Sequence, residues 1–296
     1  MSIQKSLRLS LVLMACLPLI FLTIFTYNLS YKKYMDLATQ STVELAKNYG
    51  MGFQSQLNSQ IAEVEGLANG TNIQNLVLEN YNGVTLGNDS PYYTNVTDLF
   101  ATASDYAGNN VNYYLYDVNG YYITSSDNTN TDDWQEHMAI PVEDITETKI
   151  LQCSPLDEIE SIDVVSPIII KSQIVGLIRA NITSRYFGSF IPEDGSAFIM
   201  TNDGGYLFTS TGLTGQRELE TQAFNCLNGA DNAKDYGHLK ASSFKNIYGF
   251  CKLSDSNWLY LIKQQGTQYQ QILATLPITM SITLIIILMI AIWVSR

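Results

Sequence analysis

DVNGYYITSS, residues 117–126, and NDGGYLFTST, residues 202–211, are two versions of one pattern. In each, a polar turn containing glycine is followed by aromatic and β-branched residues, which is the strongest short-range signal of a β-hairpin. The stretches VNYYLYD from Val111 and AFIMT from Ala197 precede the turns and supply the first strand of each hairpin. A pattern that recurs along the chain indicates two copies of one structural unit.

The segments that follow the two hairpins also correspond. After the first hairpin the pattern predicts strands at Lys149–Cys153, Ile162–Ile170 and Ile174–Ile182. After the second hairpin it predicts a helix and three strands, at Gln216–Leu227, His238–Phe244, Ile247–Leu253 and Trp258–Lys263. We therefore expect two PAS-like antiparallel modules in an α+β chain, residues 71–190 and 191–270, with their boundary near Pro192.

The sequence before the first hairpin is helical. Apolar residues recur mostly every three or four positions, at Tyr34, Leu37, Leu45, Tyr49, Phe53, Leu57, Ile61, Val64 and Ala68. Asn69-Gly70 then provides a helix stop. Such a helix is about 50 Å long, and one of its faces must pack against the domain or against the same helix of a second copy. Shorter helices are predicted at Ile73–Leu78 and Val96–Tyr106.

Two apolar segments without acidic residues flank this region, at Leu9–Leu29 and Ile272–Val294. Each reaches the length of about 20 residues that a membrane-spanning helix needs. The sequence thus predicts a cytoplasmic start at 1–8, spans at 9–29 and 271–294, and a long signalling helix at 30–70. We expect the central domain to be extracytoplasmic and residues 295–296 to begin a cytoplasmic output domain that is missing from the chain.

The charge of the central domain excludes some partners. All 28 acidic residues lie between the apolar segments, whereas Lys5, Arg8 and Arg296 lie outside them, which leaves a net charge of about −15 for the domain. This charge disfavours nucleic acid and anionic lipid as partners. His137 and His238 are isolated, so no metal or cofactor is expected.

The three cysteines of the domain match no metal-binding spacing. Cys226 and Cys251 could form a disulfide in an oxidising compartment. The alternative is that Cys153, Cys226 and Cys251 are free thiols.

The order of span, long helix, two PAS-like modules and second span resembles the double Cache (dCache) sensor domain of bacterial transmembrane receptors. The two hairpins carry the resemblance, together with SPIIIKSQIVGLIRANITSRYFGSF from Ser166 and YGFCKLSDSNWLYLIKQ from Tyr248. It implies a plasma-membrane protein that is commonly a homodimer, here through the Tyr34–Ala68 helix. It also implies a small-molecule ligand in the membrane-distal module and a chemotaxis, histidine kinase or diguanylate cyclase/phosphodiesterase output.

The resemblance also directs attention to one ligand-binding segment. Amino-acid-binding members of the family have an Arg-x-Trp-Tyr run after the second distal strand and a later Asp at the end of the last distal strand. Here the run reads Asp132-Asp133-Trp134-Gln135, and Asn181 stands where the later Asp belongs. An α-amino acid is therefore not the expected ligand. Carboxylates beside an aromatic ring favour an amine or another cation.

Other distal residues and other interpretations stay open. Tyr114, Tyr116 and Tyr122 lie on the distal hairpin and are further ligand-binding candidates. Alternatively, Asp132 and Asp133 cap a helix that begins at Trp134, and Trp134 only packs. At the level of the whole chain, the alternative to a sensor is an adhesion or interaction module without a small ligand. No motif supports an enzyme.

Overall fold

The two predicted modules contain sheets of the same topology. The computed structural model describes residues 3–83, 90–127, 133–134, 140–152, 161–191, 196–208, 213, 216–229, 235–240, 246–265 and parts of 278–289. Within these residues the first five strands form one sheet, in which they lie in the order second, first, fifth, fourth and third. The next five strands form a second sheet in the same order. The repeat predicted from the two hairpins is therefore confirmed.

The bounds of the strands agree closely with the sequence pattern. The first sheet, called the distal sheet, consists of β1 Val111–Asp117, β2 Tyr122–Ser125, β3 Lys149–Gln152, β4 Ser161–Ile170 and β5 Gln173–Thr183. The second, called the proximal sheet, consists of β6 Ala197–Met200, β7 Tyr206–Leu207, β8 Tyr236–Leu239, β9 Asn246–Leu253 and β10 Trp258–Gln265. Cys153, the end of the second hairpin at 209–210 and the end of the predicted strand at 241–244 lie outside the described residues.

Four α-helices can be given bounds within the part of the chain that the structure describes. They are α1 Ile3–Ala68, α2 Thr71–Tyr81, α3 Pro91–Tyr106 and α4 Arg217–Leu227. Helix α1 ends at Ala68, directly before the predicted stop. Helix α3 begins with Pro91 in its first turn, and the Ser90 hydroxyl accepts a hydrogen bond from the Tyr93 amide, as an N-cap residue does.

One face of α1 is buried from Ala38 to its end at Ala68. The buried positions follow the helical spacing and are Ala38, Thr42, Ala46, Gly50, Phe53, Leu57, Gln60, Val64 and Ala68. From Phe53 onward this set matches the predicted stripe at Phe53, Leu57, Val64 and Ala68, while Gln60 is buried in place of Ile61. Before Phe53 it does not match, because Leu37 is 52% exposed and its neighbour Ala38 is buried instead.

A close approach of two backbones explains this shift. A Cβ atom added to Gly249 of β9 would lie 2.5 Å from the Thr42 carbonyl oxygen and 3.2 Å from the Ala46 Cβ. Contacts this short leave room only for small side chains on the facing side of α1. Ala38, Thr42 and Ala46 therefore face the sheet, and the larger Leu37 turns away from it.

The distal sheet packs one of its faces against helices. Tyr113 of β1 points to this side, where its hydroxyl accepts a 2.7 Å hydrogen bond from Gln60 Nε2 of α1 and its ring stacks on Phe100 of α3. Helices α2 and α3 both contact strand β1, and helix α2 also contacts strand β5. Because side chains alternate along a strand, the neighbours of Tyr113 must point to the opposite face.

Internal contacts divide the chain into two compact units. One comprises residues 1–46, 236–250 and 262–296, and the other comprises 47–235 and 251–261. The second unit contains the whole distal sheet. These units do not coincide with the modules predicted from the sequence, so the module boundary near Pro192 stays a prediction.

The predicted membrane spans are not found among the described residues. No helix among them is both long and apolar enough to cross a bilayer. Most of the predicted second span, Ile272–Val294, lies outside the described residues.

The cysteines resolve one alternative. Cys226, which is partly buried, and Cys251, which is buried, do not form a disulfide with each other. Burial raises the pKa of the Cys251 thiol, which keeps it in its neutral form.

The approach of β9 to α1 can be tested with two glycine substitutions. We expect Gly249→Ala to lower the free energy of unfolding by about 1–3 kcal/mol, because its Cβ would meet the Thr42 backbone. Gly66→Ala is the control, since Gly66 lies in α1 with no atom within 4 Å of an added Cβ. The control should be neutral or stabilise the fold by up to about 1 kcal/mol. Equal stability of the two variants in chemical denaturation would contradict the close approach.

Candidate functional site

The face of the distal sheet that points away from the helices carries most of the candidate residues. Its members are Tyr114, Tyr116, Tyr122, Asp163, Arg179 and Asn181, and we call this set the polar face. Strand pairing brings them together: Tyr114 lies opposite Arg179, Asp163 opposite Asn181, and Tyr116 opposite Tyr122 after a register shift in β1. Tyr114, Tyr116, Asp163 and Arg179 are buried.

An ion pair lies at the centre of the polar face. Arg179 Nε is 3.0 Å from Asp163 Oδ1, and the Asp163 side chain is fully buried. Asn181 Nδ2 donates to the same oxygen at 2.8 Å and to Ser161 Oγ at 3.0 Å. Burial lowers the pKa of Arg179, but the Asp163 carboxylate and a hydrogen bond with the Tyr116 hydroxyl together raise it by more, so the net shift is upward and the guanidinium stays charged.

Aromatic rings surround this pair. The guanidinium carbon of Arg179 lies 5.2 Å from the centre of the Tyr114 ring, in the range of a cation–π contact. The Tyr116 ring makes edge contacts with Tyr122 and with Trp134, at centroid distances of 6.4 Å and 5.7 Å. Burial raises the pKa of Tyr116 while the charge of Arg179 opposes the shift, so this hydroxyl is neutral and close to the guanidinium.

Trp134 and Asp133 hold the segment after β2 against the polar face. Trp134 is fully buried, its amide donates to the Gly120 carbonyl at 2.7 Å, and its indole Nε1 donates to the Ile140 carbonyl at 2.6 Å. The Asp133 carboxylate accepts a 2.9 Å hydrogen bond from the Tyr122 amide. Asp133 thus caps the amide of a strand residue. Asp132 and residues 135–139, where the helix after Trp134 was predicted, lie outside the described residues.

Trp134 is also part of a packed core. It belongs to a cluster of buried residues that contains Tyr114, Tyr116, Val142, Ile145, Val165 and Leu177, with Tyr122 and Leu151 packed against it. Truncating the indole would therefore unfold or loosen this core, so a Trp134→Ala variant reports on stability as well as on binding.

A third carboxylate lies at the end of the hairpin. Asp127 accepts hydrogen bonds from the Ser125 hydroxyl at 3.1 Å and from the Tyr114 hydroxyl at 3.5 Å. The Ser125 hydroxyl is also 2.8 Å from that of Tyr122. Burial raises the pKa of Tyr122, and the bond with Ser125 opposes that shift. The polar groups of the hairpin thus form one connected network.

The sequence did not single out Arg179, Asp163 or Asp127. A signal for the first two was present, because each is a charged residue within an apolar strand, in IRAN and SIDVV. Such charges are rarely buried unless they are paired. The pairing itself depends on the register of β4 and β5, which a single sequence does not specify.

A separate cavity lies where β3 approaches the turns of the proximal sheet. Its volume is about 530 Å³, and it is lined by Ile61, Thr148, Lys149, Ile150, Leu151, Asn202, Asp203, Asp255, Ser256 and Trp258, all in one compact unit. Its carboxylates already have protein partners. The Thr201 hydroxyl and the Gly205 amide lower the pKa of Asp203, and Asp255 accepts a 2.7 Å hydrogen bond from Asn58 Nδ2. None of the predicted site residues lines this cavity.

Solved structures with the same architecture are extracellular sensor domains. The extracellular domain of soHK1S-Z6, assigned as a histidine kinase, aligns over 81% of this chain and 98% of its own length, with a TM-score of 0.56 and 9% identity. The sensor domain of the V. cholerae histidine kinase DctB aligns over 79% of this chain and 98% of its own length, with a TM-score of 0.51 and 12% identity. The chain has the double Cache fold.

A chemoreceptor domain with a bound ligand has this fold as well. The ligand-binding domain of the Pseudomonas aeruginosa PAO1 amino acid chemoreceptor PctC, in complex with GABA, aligns over 77% of this chain and 99% of its own length, with a TM-score of 0.50 and 16% identity. No protein-family model matches the chain, and no curated protein matches its sequence. The double Cache architecture is thus established by the structure of the chain.

The central ion pair can be tested by removing one or both charges. Arg179→Gln leaves the Asp163 carboxylate buried without its counter-charge, so we expect the free energy of unfolding to fall by about 3–5 kcal/mol. Adding Asp163→Asn removes the second charge and should restore most of this loss. Chemical denaturation of the full chain measures both values. A double variant no more stable than the single one would contradict a paired buried charge.

Proposed function

We propose that this chain is the extracytoplasmic small-molecule-sensing part of a bacterial transmembrane receptor. The ligand would bind at the polar face of the distal sheet and change how the second span lies relative to the first. A cytoplasmic domain of the chemotaxis, histidine kinase or diguanylate cyclase/phosphodiesterase type would receive the signal. The observation that carries the proposal is the buried set of polar and charged groups on that face.

The composition of this face supports ligand binding over simple packing. A sheet face that only packs needs apolar side chains, because burying polar groups is costly unless each is paired. Here three tyrosines, an arginine, an asparagine and an aspartate share one face. The sensor domains with this fold include one solved with GABA bound, which supports a small molecule as the ligand class.

Within this proposal, Trp134, Asp133, Tyr114, Tyr116, Tyr122 and Asn181 stay ligand-site candidates, and Asp132 stays a candidate outside the described residues. Trp134 and Asp133 would act through position, because their polar groups are used by Ile140 and Tyr122. The amine or other cationic ligand expected from the sequence is supported by the carboxylate of Asp127 beside the Tyr114 ring.

The proposal predicts that a ligand stabilises the fold. We expect one class among amines, amino acids and carboxylates to raise the Tm of the full chain in detergent. At 100 times its Kd, such a ligand raises the free energy of unfolding by about 2.7 kcal/mol. Hydrogen exchange should then slow in peptides from β1, β2 and β5. Protection confined to residues 148–151 and 202–205 would place the ligand in the separate cavity. No stabilisation by any class would favour the adhesion alternative.

We further propose that the chain forms a homodimer through the Tyr34–Ala68 part of α1. Its exposed side includes two large apolar residues, Leu37 and Met51, which are 52% and 58% exposed. Such residues on the open side of a long helix are typical of a helix–helix interface.

Replacing the exposed apolar residues of this surface by glutamate tests the dimer. We expect Leu37→Glu combined with Met51→Glu to convert the dimer to a monomer in analytical ultracentrifugation of the full chain, because the interface would bury two unpaired charges. Leu99→Glu is the control, since Leu99 is an exposed leucine of α3, 40% accessible, outside the proposed interface. A dimer that survives the double substitution would exclude this helix surface.

A further inference from the structure

The separate cavity of about 530 Å³ lies along one edge of the distal sheet. Its lining includes Thr148, Lys149, Ile150 and Leu151. Among the described residues, β3 is the outermost strand of this sheet, and β4 is its neighbour. Because side chains alternate along a strand, a cavity beside one face of β3 would contact every second residue. Four consecutive residues line this cavity, so it runs along the edge of the strand.

The edge of β3 offers backbone groups to the cavity. Each residue from Lys149 to Gln152 lies opposite a residue of β4, so β4 occupies one side of the strand. On its other side, an edge strand presents N–H and C=O groups that pair with no neighbouring strand. An extended peptide can add to such an edge as a further strand, and main-chain hydrogen bonds then provide the affinity. This wall of the cavity therefore matches a peptide backbone.

The turns of the proximal sheet supply further polar groups to the cavity. Ser256 Oγ is buried and has no hydrogen-bond partner in the part of the chain that the structure describes. Asp203 accepts hydrogen bonds from the Thr201 hydroxyl and the Gly205 amide through one oxygen, Oδ1. A carboxylate has about four acceptor positions, so Asp203 can accept from a ligand as well. The wall that faces β3 can thus both donate and accept hydrogen bonds.

Charges of both signs line the cavity. Lys149 makes no ion pair or hydrogen bond with any other residue that the structure describes. Asp203 and Asp255 supply carboxylates from the two turns. A short peptide has an ammonium group at one end and a carboxylate at the other, so it complements both signs of charge.

The volume of the cavity indicates a small occupant. Sites for small molecules have volumes of about 300–1,000 Å³, and this cavity lies in that range. Three residues of an extended chain span about 10 Å. A free peptide of about three residues therefore suits the cavity better than a segment of a partner protein, since stable protein interfaces are far larger.

We propose that this cavity binds a short free peptide, whose main chain pairs with the open edge of β3. The peptide adds to the distal sheet as a strand beyond β3. Lys149, Asp203 and Asp255 bind its charged ends, and the Ser256 hydroxyl bonds to its backbone. This site is separate from the polar face and does not depend on a ligand there.

Three alanine compounds separate main-chain pairing from charge. Trialanine has both charged ends and two peptide N–H groups. Trialanine methylated on both peptide nitrogens keeps the ends and lacks the N–H groups, and alanine has the ends alone. We expect only trialanine to raise the Tm of the full chain in detergent. It should also slow hydrogen exchange at the amides of Lys149–Gln152, because the edge of β3 becomes paired.

Two lysines of the distal sheet provide matched variants. Lys149→Gln should leave the Tm of the free protein unchanged, because Lys149 has no partner to lose among the described residues. It should raise the Kd for trialanine about 10-fold in isothermal titration, while Lys149→Arg keeps the affinity. Lys171→Gln is the control, since this exposed lysine lies in the turn between β4 and β5, outside the cavity. It should leave the Kd unchanged.

A second variant keeps the test independent of charge. Ser256→Ala removes a hydroxyl that has no partner among the described residues, so the Tm of the free protein should not fall. The Kd for trialanine should rise about 2- to 10-fold, which is the effect of one lost hydrogen bond.

Other outcomes overturn the inference and separate it from the proposed function. If alanine or the methylated peptide is as effective as trialanine, the cavity does not pair with a peptide main chain. If trialanine slows exchange in β1, β2 and β5 but not in β3, the peptide binds at the polar face, which keeps the sensor and excludes this site. If trialanine does not raise the Tm, the inference is wrong, whatever ligand the polar face binds.

Discussion

The buried stripe along α1 is the constraint on which the rest of the structure depends. In one compact unit this stripe places Thr42 and Ala46 against Gly249 of β9, and the Thr42 hydroxyl donates to Gln264 Oε1 of β10 at 2.6 Å. In the other unit the same side of the helix places Gln60 under Tyr113 of β1. Because small residues alone fit where the backbones approach, the sequence of α1 sets which face of the helix meets the strands.

The helix also decides the character of the distal sheet. Its helical side is closed by α1, α2 and α3, so the side chains on that side are mostly apolar or, like Tyr113, paired with a helix residue. The period of two along each strand then directs Tyr114, Tyr116, Arg179 and Asn181 to the other side. A sheet with one side buried against helices is typical of α+β folds, and the proposed ligand site lies on the other side.

The distribution of charge on that second side has a physical logic. Asp163 and Arg179 neutralise each other at the centre of the sheet, and Asn181 donates a further hydrogen bond to the Asp163 carboxylate. Buried pairs of this kind contribute little net stability, because the cost of removing both charges from water offsets their attraction. The pair is therefore weak evidence of stability, and it is one of the observations on which the proposed ligand site rests.

The sequence by itself determined the secondary structure and the repeat, because these depend on local chemistry. Turns with glycine between β-branched and aromatic runs gave both hairpins, and Asn69-Gly70 gave the end of α1 within one residue. The repeat then predicted two sheets of one topology. The wrong prediction that Leu37 is buried is instructive, since hydrophobicity favoured its burial and only the approach of Gly249 excluded it.

Which polar residues meet depends on tertiary structure. Tyr116 is far from Asp163 and Arg179 in the chain, and each by itself is an ordinary strand residue. The tight turn between β4 and β5 sets the register that brings Asp163 to Arg179. Tyr116 reaches them only through the pairing of β1 with β5, which are distant in the chain and whose register no local pattern encodes.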